Sequence, residues 1–369
     1  MTWSEQLRIV RTNSDEYRSQ KALRKKKEYT GKCTSEEFQN LSNWWEEKSG
    51  GRVNTQESVD GMINYSRKIS QWELFENKVW RIISSCGMKY ASSDLQVVKY
   101  GDGAKQLKQL DGIFADDDYV YIVEAKYRTK RDGEDAIDSS IRDDVTKIRS
   151  FFKPLSKRII ELYPEFSGKE FVFILVTQSV NMKDITPELK IEEFGYSITG
   201  NQLDDLRAIT KELSTGFVTN SIFRSEVMRG RNQKEALRDY YALKTTWSGT
   251  TAYSFFADPS EIADRFYVHK RTPDTEANIG MAYQRMMKSS KVAQISTYLQ
   301  NTDGFFPNSI IAHCDNVKFD PFDKGDVGKL TIPDRIGSIW LIDGQHRVYG
   351  SMNSGSNRKL NFCLLVDTE

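Results

Sequence analysis

Asp111, Glu124 and Lys126 fall in the stretch QLDGIFADDDYVYIVEAKY, whose pattern predicts a strand bearing Asp111, a polar turn at Asp116 to Asp118 and a strand ending in Glu124-Ala125-Lys126. Side chains alternate along a strand, so Glu124 and Lys126 point to one face of the sheet and Asp111 meets them across the hairpin. Two carboxylates and an ammonium at the end of an apolar strand are costly there unless each is partnered or bound to a metal ion. A divalent cation supplies that partner. Magnesium takes oxygen ligands and keeps several waters, so Asp111, Glu124 and the carbonyl of Ala125 suffice as the protein's share, with manganese as the alternative ion. Such a cation polarises a phosphate and activates water, while Lys126 orients the water or offsets charge in the transition state. That is the chemistry of phosphodiester hydrolysis.

A second group of chemical side chains stands in IGSIWLIDGQHRVYGSM, where Asp343, Gly344, Gln345, His346 and Arg347 follow an apolar strand and precede a helix expected to begin near Val348. A strand, a glycine turn and a helix amino terminus together offer free N–H groups and a favourable dipole to an anion. Arg347 has the fork geometry to grip a phosphate. An internal Asp343–Arg347 ion pair capping the helix is the plainer reading, and a lone His346 says little by itself.

The first group needs a sheet and covering helices to hold it. Tyr119 to Ala125 (YVYIVEA) and Phe171 to Thr177 (FVFILVT) read as strands buried on both faces. Between them, Ile141, Val145, Ile148 and Phe152 recur at helical spacing. Upstream, SQWELFENKVWRIISSCG (70 to 87) opens with a capping box of Ser70 and Glu73, closes at Gly87 and carries Leu74, Val79, Ile82 and Ile83 on an apolar face. Its Glu76 is either an ordinary surface acid or a fourth member of the site. The second group needs the strand-like pieces Tyr240 to Thr246, Thr251 to Ala257, Ser309 to His313, Ser338 to Ile342 and Asn361 to Val366, interleaved with helices near 259 to 266 and 284 to 300.

The chain thus divides into a polar, helical amino-terminal appendage (1–50), a mixed-sheet domain (51–215) and a third domain (216–369), in line with a length of 369 residues that exceeds one ordinary core. The last strand-like run ends just before Glu369, so the third domain is expected to be incomplete at its carboxy terminus. Fifty-three basic against 52 acidic residues give a net charge of +1, which leaves evidence for a polyanionic partner to local features. One is the run from Arg18 to Lys32, either a solvated helix face or a phosphate-tracking patch. The four cysteines are widely spaced and the three histidines complete no zinc spacing. No apolar run reaches the roughly 18 residues of a membrane span, and MTWSEQLRIVRT lacks a signal-peptide core, so a cytoplasmic protein with reduced thiols is expected.

The Asp111, Glu124-Ala125-Lys126 pattern resembles the PD-(D/E)XK, restriction-endonuclease-like nucleases, over about residues 65 to 180, with Leu110 in place of the proline. The resemblance implies catalysis by Asp111, Glu124 and Lys126, a metal-facing role for Glu76 on the upstream helix, magnesium as cofactor, DNA as substrate in a defence or modification setting, and a homodimer for cutting both strands. From about 235 to 369 the chain resembles the DGQHR-domain family, which includes DndB and is related to the ParB/sulfiredoxin-like fold; YQRMMKSSKVAQISTYLQNTDGFFPNSIIA matches its upstream segment. That resemblance implies phosphate or nucleotide contacts by Asp343, Gly344, Gln345, His346, Arg347 and Arg285, with a nucleoside triphosphate as the candidate ligand. The fold class expected is mixed α/β. The function expected is a metal-dependent DNA endonuclease with a recognition or nucleotide-sensing unit. A DNA-binding regulator without cleavage, or a nucleotide hydrolase working through DGQHR, are the alternatives.

Overall fold

The structure is a computed structural model and describes residues 7–39, 53–57, 60–93, 96–100, 106–127, 139–178, 191–213, 216–232, 239–247, 249–268, 288–323 and 325–367. It is a mixed α/β protein that divides into two compact units, Met1–Leu203 and Asp204–Glu369.

In the first unit, β1 (Ile9–Arg11), α1 (Asp15–Leu23) and β2 (Glu28–Cys33) lead to β3 (Val53–Glu57) and β4 (Ile63–Lys68). The stretch read as a helical appendage therefore contributes strands too, because β1 pairs antiparallel with β5 at the edge of the main sheet. Tyr163 fixes that edge, its hydroxyl accepting from the Ile9 N–H (2.9 Å) and donating to the Leu7 carbonyl (3.0 Å). Next come α2 (Gln71–Ser84), β5 (Tyr90–Ser92), β6 (Gln96–Tyr100), β7 (Gln106–Leu110), β8 (Gly112–Ala115), β9 (Tyr119–Tyr127), α3 (Ser139–Leu162), β10 (Glu170–Gln178) and β11 (Gly195–Thr199); α4 (Gly200–Glu212) begins in the first unit and continues into the second. The main sheet has the order β1-β5-β8-β9-β10-β11. β5, β8 and β9 run antiparallel, whereas β10 pairs parallel to β9 after the α3 crossover.

β9 and β10 are central strands, and their apolar runs are buried accordingly: Val120 to Val123 and Val172 to Val176 are shielded from solvent. α3 covers one face with Ile141, Val145, Ile148, Phe151, Leu155 and Ile159. The stripe passes through Phe151, while Phe152 is partly buried against Phe194, since a 3.6-residue period drifts round the helix over three turns. α2 opens with the expected capping box, Ser70 and Glu73 bonding reciprocally, and Arg67 clamps the same Glu73 carboxylate at 2.7 and 3.1 Å. Gly87 lies at φ +72° just beyond its end.

In the second unit, α5 (Gly216–Val227), β12 (Asp239–Trp247), β13 (Thr250–Ala257), β14 (Phe266–Tyr267), α6 (Ser289–Asn301), β15 (Ile310–Cys314), β16 (Lys318–Pro321), β17 (Val327–Thr331), β18 (Ile339–Asp343), α7 (Gln345–Ser354) and β19 (Leu360–Asp367) build an eight-stranded sheet of order β14-β18-β15-β19-β13-β12-β17-β16. Its core joins Phe362, stacked between Phe255 and Phe266, to Val348, Tyr349 and Met352 of α7.

Candidate functional site

Asp111 sits at the break between β7 and β8, the point where the chain leaves the β6–β7 hairpin and enters the main sheet. Its Oδ2 accepts the Ala125 N–H at 2.8 Å, which locks it against the end of β9. Glu124 and Lys126 share one face, as strand alternation requires: Lys126 Nζ donates to Glu124 Oε1 at 2.8 Å and to Asp144 Oδ2 at 2.6 Å. Glu124 is 3% exposed and Lys126 18%, so their attraction is weakly screened. The carboxylates of Glu124 and Asp111 and the bond to Asp144 outweigh the burial that works against the Lys126 charge, and hold its pKa above the ordinary lysine value. Lys126 is an ammonium throughout the physiological range.

Glu76, on α2, belongs to the same cluster. Burial first, then the charges of Asp111 and Glu124, push its carboxyl up to about 9, with Lys126 opposing. It therefore carries a proton at neutral pH. Asp116, in the turn, serves the backbone instead, its carboxylate accepting the N–H groups of Asp118 and Tyr119 and the Tyr121 hydroxyl and so fixing the hairpin.

Two residues escaped sequence reasoning. Asp144 lies on α3 beside the buried Ile141 and Val145, and the clue was an acid bordering the apolar stripe. Thr177, at the polar end of β10, stands level with Lys126 in the parallel register; it is 1% exposed, and its hydroxyl has no hydrogen-bond partner among the described residues. Among the described residues no group of three or more His, Cys, Asp or Glu side chains is assembled as a metal-ligand set.

The basic run of the amino terminus is largely engaged with protein. Arg18 pairs with Asp15 and Lys32 with Asp60; Lys21 donates to Ser85 Oγ, and Arg24 to Asn77 while lying over Trp80.

The DGQHR turn is formed as β18, a glycine and α7. Gly344 takes φ +94°, and its carbonyl accepts the N–H groups of Arg347 and Val348. No side chain caps α7, so Asp343 does not fill that role. Arg347 donates to the Asn308 carbonyl at 2.6 Å and more weakly to Asp343 at 3.4 Å. His346 Nε2 accepts the Lys288 N–H at 3.1 Å, tying α7 to the start of α6; burial and the nearby Lys291 and Lys288 lower its pKa, against Asp343. Gln345 is buried. Arg285 lies outside the described residues. A Cβ at residue 344 would meet Ile310 Cδ1 at 2.5 Å in a conformation that L side chains avoid. Gly344→Ala is therefore expected to cost about 1–3 kcal/mol, read from the midpoint of urea unfolding.

The carboxy-terminal unit is thus a mixed sheet presenting a glycine turn and helix at the end of β18. A model of the DndB family, described as DNA-sulfur modification-associated, matches residues 240–350, from β12 to the middle of α7. Over that span the chain is DndB-like. No curated protein matches the chain. Among solved structures, the crystal structure of protein VC1899 from Vibrio cholerae matches with 16% identity and a TM-score of 0.23, over 53% of this chain and 50% of that one. The chain spans about half the length of that protein.

No helix among the described residues is long and apolar enough to cross a membrane.

Proposed function

We propose that the amino-terminal unit is a metal-dependent endonuclease of the PD-(D/E)XK kind acting on DNA, and that the DndB-like unit serves recognition or nucleotide sensing in a DNA-modification-linked setting. The observation that carries the reading is the gathering of Glu76, Asp111, Glu124 and Lys126 at the end of one buried strand. Burial, and then the neighbouring carboxylates of Asp111 and Glu124, hold a proton on Glu76 at neutral pH, and a divalent cation would relieve such a site. The donors are oxygens, as magnesium or manganese requires, and one or two carboxylates plus substrate phosphate are its usual complement. Asp111 and Glu124, with the Ala125 carbonyl, would hold it; bound there, it supplies Lewis-acid polarisation of the phosphate and a more acidic water.

The chain's own residues divide the remaining work. Lys126, held protonated by Glu124 and Asp144, is a fixed positive charge for the phosphate and cannot serve as the base that deprotonates water. Asp144 aims it. The Ala125 N–H fixes the orientation of Asp111.

The test is incubation of plasmid and linear DNA with Mg²⁺ or Mn²⁺. Wild type is expected to cut, and Asp111→Ala to cut at least about 100-fold more slowly. Equal cutting by the two proteins defeats the proposal. The DndB match favours a second reading, a DNA-binding regulator, which predicts retention of DNA without cutting by wild type. A nucleotide hydrolase working through the DGQHR turn predicts instead that Asp343→Ala abolishes nucleotide turnover.

A further inference from the structure

β18 ends at the DGQHR turn, but a second feature opens near its beginning, three residues and about 10 Å from Asp343 along the strand. There a cleft of about 440 Å³ is lined by Arg229, Lys318, Arg335 and Trp340, together with Asp315 and a wall around Gly337. The volume is within the range of small-molecule sites. Its floor is fixed by backbone bonds: Gly230 N–H donates to the Ile336 carbonyl, Ile336 N–H to Arg231, and Gly337 N–H to Asp264. Gly337 has φ +65°, and a Cβ there would press on the Arg229 side chain at 3.1 Å, so the glycine admits that arginine into the wall.

Arg229 then lies over two aromatic rings, 4.2 Å from the centroid of Tyr267 and 4.6 Å from that of Trp340. His313 meets the edge of the same indole. Tyr267 meets its ring as well, and with these neighbours Trp340 remains 37% exposed where it lines the cleft. Charge is arranged to match. Arg229 and Arg335 form no ion pair among the described residues, Lys318 shares an exposed pair with Asp320 at 3.1 Å, and Asp315 leans to His313 at 3.8 Å. Three cations and one carboxylate around a partly exposed indole make a surface for a flat ring carrying a phosphate.

We infer that this cleft is a nucleotide site, in which an unpaired base stacks on Trp340 and its phosphate is met by Arg335 and Lys318. The inference does not depend on the nuclease reading, and the site is separate from the DGQHR turn. The nucleotide comes either from a single strand of nucleic acid or as a free mononucleotide; both have the same base-and-phosphate chemistry.

The experiment measures fluorescence anisotropy of an end-labelled dT15 with the full chain in EDTA, which suppresses cutting, and competition by unlabelled dTMP. Wild type binds; Trp340→Ala loses at least about 10-fold in affinity and Trp340→Phe keeps most of it, because stacking tolerates any aromatic ring. Arg335→Gln and Lys318→Gln each weaken binding and flatten the salt dependence by about 0.7 in the slope of log K against log salt. Lys89→Gln, which removes a charge in the other unit, leaves both unchanged. Displacement by dTMP, lost in the same variants, assigns the site to a mononucleotide; no displacement assigns it to the strand. Binding of dT15 by Arg335→Gln and Lys318→Gln equal to wild type overturns the inference, whether or not Trp340→Ala folds.

Discussion

Under the proposed nuclease function, replacing Lys126 by Ala is expected to slow Mg²⁺-dependent DNA cleavage by about 100- to 1,000-fold, and it is expected to lower the stability of the protein without added metal by about 3 kcal/mol. The two losses have one cause. Lys126 is the cation that faces Glu124 and Asp144 directly and that also lowers the Glu76 carboxyl, so without it the acids lose their compensating charge. Some of them then take up protons, which limits the damage at low pH and enlarges it as pH rises. Millimolar Mg²⁺ should restore much of the stability of Lys126→Ala at pH 8 and none of its cleavage, because the ion replaces the neutralising charge but not the ammonium at the phosphate. Urea unfolding with and without Mg²⁺, beside a plasmid-cutting time course, measures both. Recovery of cutting with stability would place the role of Lys126 in folding alone.

Glu76→Gln is expected to stabilise the metal-free protein by about 3 kcal/mol at pH 7, at about 1.36 kcal/mol for each pH unit above the unfolded value. The folded carboxyl lies near 9 against an ordinary 4.5, so the unfolded chain gives up its proton first. Stability contributed by the protonated form is whole below about pH 4.5, and is lost progressively as pH rises towards 9. Gln keeps the shape and cannot ionise. Wild type and variant should therefore coincide at pH 4 and diverge steadily above pH 5, which a series of urea titrations will show. Parallel curves across that range would place Glu76 away from the other acids.

How much of this was legible beforehand depended on the range of the interaction. The capping box at Ser70 and Glu73, the buried runs of β9 and β10, and the shared face of Glu124 and Lys126 are local periodicities, and they are written in a few consecutive residues. Partners supplied by the tertiary fold left weaker marks. Asp144 meets Lys126 only because α3 lies across the sheet, and nothing in SSIRDDV distinguishes it from the exposed Asp143 beside it except its place against the apolar stripe. The same holds for Arg347, whose guanidinium fits the fork pattern of a phosphate ligand but donates to the carbonyl of Asn308. β1 was missed because three residues with mixed exposure have no period to detect; the sheet edge beside them makes them a strand.

That short edge also sets a schedule. β1 leaves the ribosome well before Tyr163, whose hydroxyl pins it from 154 residues later in the chain. At a synthesis rate of 5–20 residues per second, roughly 8 to 30 s pass before both are present. During that interval the nascent sheet has an unsealed margin with free N–H and C=O groups, the template on which two growing chains would pair with each other.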